Sequence, residues 1–206
     1  MNRARHIGIV AVSAEGAALC YRTICTEGAA VLGPHDHPQV TMHTYPLAEY
    51  MQHVEAIRFT RLWISCTRRR PRRGFNIAEE VAAVATARGF KRLGILGTRP
   101  LMEGPVYREK LAVRGIEQEI PEADDRNRIN AIIFDELVYG RFEETSRSYL
   151  RAVIEVLGAR GCDAVVLACT EIPLLLAEGE SPLPAIDSTR TLARAALREA
   201  TRNVSA

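Results

Sequence analysis

Lysine is almost missing: of 27 basic residues only Lys91 and Lys110 are lysines, and arginine carries the rest. No excess of either charge sign exists, since 25 acidic residues leave a net charge of +2, and composition therefore points away from nucleic-acid and membrane-surface partners. No apolar run approaches the ~20 residues that span a bilayer. The polar start from Met1 to His6 does not read as a signal peptide, so a cytoplasmic protein is expected. Cysteines stand at 20, 25, 66, 162 and 169, an odd set with no C-x-x-C pair. That pattern argues against a disulfide framework and against a zinc site, and each cysteine is weighed as a free thiol.

What is present has the rhythm of an α/β protein. With 206 residues, 47% of them apolar, the chain can form one large domain or two small lobes. Residues 6–12 are rich in Ile and Val and predict a buried strand, followed through Ser13 by a helical pattern over 17–30. A Pro-containing polar stretch leads to a second strand at 40–44 and a helical pattern near 47–56. Further on, helices are predicted over 76–88, 103–114, 124–139 and 143–160, with a last one from Thr189 onward. Strands are predicted at 91–96, 116–120, 164–168 and 185–187. Strands that are apolar throughout and alternate with helices predict parallel sheet covered on both faces, with ligands at the carboxyl ends of the strands.

Two segment pairs resemble each other. His6-Ile7-Gly8-Ile9-Val10 matches Arg92-Leu93-Gly94-Ile95-Leu96, and Leu62-Trp63-Ile64-Ser65-Cys66-Thr67 matches Val165-Val166-Leu167-Ala168-Cys169-Thr170. Two related lobes are therefore expected, the first from 1–90 and 185–206 and the second from 91–184. Gly8 and Cys66 are 58 positions apart, Gly94 and Cys169 75, so the first lobe is about 17 residues short.

Cys169 falls at the end of the clearest strand, facing a cleft and just before a predicted helix start, a setting that favours thiolate. The alternative is that it is a small buried hydrophobe, as free cysteines usually are. Cys20, Cys25 and Cys162 lie inside helical patterns or just before a strand and read as packing.

The segment Val165-Val166-Leu167-Ala168-Cys169-Thr170-Glu171-Ile172-Pro173-Leu174-Leu175-Leu176 closely resembles the second catalytic motif of aspartate/glutamate racemases. The resemblance continues through Leu96-Gly97-Thr98-Arg99-Pro100-Leu101-Met102, Tyr107-Arg108-Glu109-Lys110-Leu111, Ile132-Ile133-Phe134-Asp135-Glu136-Leu137 and Asp187-Ser188-Thr189, and lapses over residues 57–75. It implies two pseudo-symmetric α/β lobes, each lending one thiol to opposite faces of an amino acid's α-carbon, without cofactor or metal. One thiolate removes the α-proton while the facing thiol delivers another. Scarce lysine agrees, because a pyridoxal phosphate enzyme needs a Schiff-base lysine and neither Lys91 nor Lys110 sits in a predicted cleft.

By the same resemblance Cys169 and Cys66 are the catalytic thiols, and Thr170, Thr98, Thr67 and Ser13 are donors to the substrate carboxylate. Glu171 and His43 are further pocket candidates, although Glu171 also suits a helix N-terminus and a lone histidine is more often structural. A homodimer is implied as well. The first-lobe motif departs from the family's Cys-Asn-Thr: Ser65-Cys66-Thr67 lacks the asparagine and runs straight into Arg68-Arg69-Arg70-Pro71-Arg72-Arg73. That arginine run reads as a solvated loop, a phosphate-binding patch, or the scar of a deletion or frame shift. Val138 occupies the place where aspartate-specific members carry a lysine for the side-chain carboxylate, so strict aspartate specificity is not expected. The shortened first lobe leaves an impaired or vestigial member as an alternative. So does a single-thiol relative of the arylmalonate decarboxylase, maleate isomerase or hydantoin racemase type.

Overall fold

The computed structural model describes residues 4–44, 46–48, 64–66, 74–177 and 179–204, the segment 64–66 as backbone only. The chain divides into two compact units, Met1–Glu80 with Thr189–Ala206, and Val81–Ser188.

In the first unit, β1 (Ile7–Ala11) is central to a sheet of order β2-β1-β3, flanked by β2 (Val40–Thr44) and β3 (Ile64–Cys66). β1 and β2 are parallel, with Ile7 beside Val40 and Ala11 beside Thr44. Helix α1 (Ala14–Leu32) joins them, and its start is fixed by Ser13, whose hydroxyl accepts the Gly16 amide at 3.3 Å. Such a cap satisfies one of the amides left open by the first helical turn. Ile7, Ile9, Cys20 and Ile24 pack against Leu192, Ala193 and Ala196 of the last helix, with Phe75 closing the cluster.

β3 departs from the expected all-parallel arrangement: it runs antiparallel to β1, with Cys66 opposite Ile7 and Ile64 opposite Ile9. Most of the helix predicted at 47–56, together with Thr67 and the arginine run, lies outside the described residues.

The second unit holds a fully parallel sheet of order β5-β4-β6-β7, built from β4 (Arg92–Leu96), β5 (Glu117–Glu119), β6 (Ala164–Leu167) and β7 (Ala185–Asp187). Helix α2 (Ile77–Ala87) leads into it, capped by the Asn76 side chain, which accepts the Ala78 and Glu79 amides at 3.0 and 3.2 Å. Gly89, at φ +77°, takes the left-handed conformation that ends the helix and turns the chain into β4. A short helix not predicted from sequence, α3 (Arg99–Glu103), precedes α4 (Pro105–Ala112), the helix predicted over 103–114, whose start suits Pro105, a residue with no amide to donate backwards. The pattern over 124–139 splits into α5 (Ala123–Asp135) and a 3₁₀ turn, Leu137–Tyr139.

Helix α6 (Glu144–Ala159) buries Leu150, Val153, Ile154 and Leu157 at helical spacing. It passes so close to the sheet that a Cβ on Gly94 would lie 2.8 Å from Leu157 Cδ1 and 3.1 Å from Val165 Cγ1. Strand β7, assigned with the first lobe from sequence, pairs with β6 and so belongs to the second sheet. The chain then re-enters the first unit along the last helix, α8 (Ser188–Thr201); a single turn, α7 (Ile172–Leu175), lies between β6 and β7. No helix among the described residues is long and apolar enough to cross a membrane.

Candidate active site

Strand register in the second unit gathers the chemistry. Leu96 lies beside Leu167, and Leu167 beside Asp187, so three strands end at one level. The turns that follow them carry Thr98, then Cys169-Thr170-Glu171, then Asp187-Ser188. The join is tight: the Ala168 amide donates to the Leu96 carbonyl at 2.7 Å, and a Cβ on Gly97 would lie 3.5 Å from the Cys169 amide nitrogen. Ser188 braces the same edge, its hydroxyl donating to the Leu167 carbonyl at 2.7 Å.

At the centre is a thiol on a carboxylate. Cys169 Sγ donates to Glu171 Oε2 at 2.8 Å, and the Thr170 hydroxyl donates to the same oxygen at 2.9 Å. Cys169 is 7% exposed and Glu171 3%. Burial pushes the Cys169 thiol well above its ordinary range, and the Glu171 charge and its hydrogen bond push it the same way. Amides of Glu171 and Thr170 act in the opposite sense and are outweighed. At this strand end the surroundings favour the thiol over the thiolate. The following helix has only four residues, too few to sum a useful dipole, and a buried anion beside a carboxylate is disfavoured twice.

Glu171 Oε1 is buried without a hydrogen-bond partner among the described residues. Tyr107 is wholly buried, which is the main cause of a phenol pushed upward; the Ser188 hydroxyl acts in the opposite sense, and the charges of Cys169 and Asp187 add smaller upward pushes. Tyr107 was not legible as a site residue from sequence. The available signal was a lone aromatic on a helix otherwise dense in charge.

Among the nominated residues, Cys169, Thr170, Glu171 and Thr98 meet at this edge. Thr98 is half-buried at the N-cap of α3, where its hydroxyl makes no capping bond. Ser13 and His43 share the carboxyl edge of the first sheet: Ser13 follows β1, and His43 stands beside Val10 on β2 with its side chain exposed. Cys66 is at the other end of its own sheet. Because β3 is antiparallel, its last residue faces Ile7 at the amino end of β1, not the carboxyl end that leads to Ser13. Val138 is half-buried in the 3₁₀ turn. Cys20 and Cys162 are buried and Cys25 half-buried.

The chain is 25% identical to a proposed Asp/Glu racemase from Yersinia pestis, over 95% of this chain and 99% of that one, with a TM-score of 0.74. An aspartate racemase homologue from Pyrococcus horikoshii, 19% identical over 96% and 99% of the two chains, superposes with a TM-score of 0.73 and shares the fold. Aspartate racemase from Picrophilus torridus does so as well, at 19% identity, 95% and 94% coverage and a TM-score of 0.70. The family model for Asp/Glu/hydantoin racemases matches residues 74–196, the stretch that contains every element of the Cys169 edge. This chain belongs to the Asp/Glu/hydantoin racemase family.

Proposed function

We propose that the protein exchanges the α-proton of an amino acid without a cofactor, with Cys169 as the acid/base group on one face of the α-carbon. The observation that carries this reading is the Cys169 thiol hydrogen-bonded to the buried Glu171 carboxylate at the strand edge. In the proposed step the Cα–H bond breaks and its electron pair is left on a carbanion conjugated with the substrate carboxylate. A base takes the released proton, and the carbanion then accepts a proton from a thiol. Since burial and Glu171 favour its protonated form, resting Cys169 is the donor. Thr98, whose hydroxyl makes no capping bond, is the hydroxyl proposed to hold the substrate carboxylate, because Thr170 already donates its one hydroxyl proton to Glu171 Oε2. A homodimer in the cytoplasm and an amino acid of the aspartate or glutamate class belong to the same proposal, on family kinship alone.

A second reading has one specific observation behind it. With Cys66 opposite Ile7, the first sheet brings no cysteine to its carboxyl edge among the described residues, which favours a one-thiol or impaired enzyme. Incubation with L and D amino acids in D₂O separates the alternatives. Deuterium appearing in the opposite enantiomer supports a two-sided racemase, and deuterium in the starting enantiomer without inversion supports a one-sided exchanger. Loss of exchange in Cys169→Ala is expected in either case. Exchange lost also in Cys66→Ala would restore Cys66 as the second thiol. No exchange with any amino acid would overturn the catalytic reading.

A further inference from the structure

We propose that Glu171 receives the α-ammonium group of the substrate through Oε1, so that this site selects free amino acids over their hydroxy, N-blocked or nitrogen-free counterparts. The inference rests on the Cys169 edge being where the α-carbon reacts. Three observations lead to it. Oε2 is already committed, accepting from Cys169 Sγ at 2.8 Å and from the Thr170 hydroxyl at 2.9 Å. Oε1 of the same carboxylate has no partner among the described residues. The side chain is 97% buried, since only 3% of it is exposed, so solvent does not satisfy that oxygen.

A buried charge with an open acceptor is costly, and a cationic donor is the ligand that removes the cost. The reach is consistent. A reacting α-carbon sits about 3–3.5 Å from the atom that exchanges its proton, the ammonium nitrogen is one bond from that carbon, and Oε1 shares its carbon with the oxygen bound to Sγ. An ammonium in this position also neutralises the charge that opposes thiolate formation at Cys169, so substrate binding would ready the thiol for its reverse role as base. A second carboxylate placed there would meet repulsion instead. This orients the substrate with its ammonium toward Glu171 and its carboxylate toward the Thr98 hydroxyl.

The test is direct binding of matched pairs, followed by calorimetry: both enantiomers of aspartate against malate, of glutamate against 2-hydroxyglutarate, and of alanine against lactate. Each pair differs only in ammonium against hydroxyl. Expected for the wild type is a preference of roughly 10- to 100-fold for the amino acid in at least one pair, the difference between a charge-assisted and a neutral hydrogen bond. In Glu171→Gln, whose folding is checked by thermal melting, that ratio should fall to about 1. Glu171→Asp, which keeps the charge on a shorter stem, should retain part of it. Equal binding of amino and hydroxy acids by the wild type, a preference that survives in Glu171→Gln, or no binding of any amino acid would overturn the proposal. If Glu171→Gln does not fold, the wild-type ratio and Glu171→Asp decide. Proton exchange is scored separately in the same samples: exchange without ammonium preference sinks this subsite and leaves the reaction, whereas preference without exchange sinks the reaction and leaves the subsite.

Discussion

Replacing Glu171 by glutamine keeps the shape of the side chain and removes one charge beside the Cys169 sulphur, at a hydrogen-bonded distance of 2.8 Å. Two unit charges about 4 Å apart interact by roughly 4 kcal/mol at an effective dielectric of about 20. Retained amide dipole and rearranged water will cancel part of that, leaving a change of roughly 1.4–2.7 kcal/mol, or about 10- to 100-fold in thiolate fraction. The sign follows from the cause: the carboxylate disfavours thiolate, so its loss lowers the pH at which Cys169 ionises. Alkylation by iodoacetamide tracks thiolate, and peptide mass spectrometry can follow Cys169 separately from half-buried Cys25 and buried Cys20 and Cys162. At neutral pH the variant should react about 10- to 100-fold faster at Cys169, with equal rates at high pH, where both proteins are fully ionised and only access limits the reaction. Superimposable rate profiles for the two proteins would refute the reasoning, as would a wild-type Cys169 that ionises at or below the ordinary thiol value of about 8.5.

Cys162 should contribute an alkaline limb to stability. Burial first, and Glu119 next, push its pKa up to about 11, so the stability it lends is complete below the unfolded thiol value and is lost as pH rises through about 11. Cys162→Ala should make the decline shallower by about 1–3 kcal/mol in urea titrations above the ordinary thiol value of about 8.5; an unchanged slope would remove Cys162 as its source. Asp163 accepts the backbone amides of Lys91 and Arg92 at 2.5 and 2.9 Å, and those bonds hold its pKa below the usual value. Its contribution is therefore present above the unfolded carboxylate value and lost as pH falls through the folded one. Asp163→Ala should cost about 1 kcal/mol at neutral pH and flatten the acid limb, and equal denaturation midpoints at neutral pH would contradict this. Gly94→Ala forces a methyl group against Leu157 and Val165, and a loss of about 1–3 kcal/mol is expected by thermal or urea unfolding; a variant as stable as the wild type would show that α6 can move aside.

The strands at 40–44 and 185–187 coincide with β2 and β7 because a β-branched or apolar run bounded by Pro, Gly or Asp leaves few other choices. Helix interiors were equally legible, as in α6, where buried residues recur every three or four positions. The break that periodicity misses, at Glu136, is a local backbone event inside a stretch whose side-chain pattern is still helical. Cys169, Thr170 and Glu171 were legible as a motif, but a motif carries no protonation state.

Residue order alone determined that Cys169 ends an apolar strand and that Glu171 lies two positions on. Only tertiary structure decided what the pair does to each other. The turn folds Glu171 back so that it buries its carboxylate on the thiol, where removal from water outweighs the neighbouring amides and keeps the proton on sulphur. Strand direction was also a tertiary matter. Ile64-Ser65-Cys66 has the same apolar-to-thiol pattern as the end of β6, but a strand's sequence does not specify which way its neighbour runs, and pairing with β1 in the antiparallel sense sends Cys66 to the end of the sheet away from Ser13.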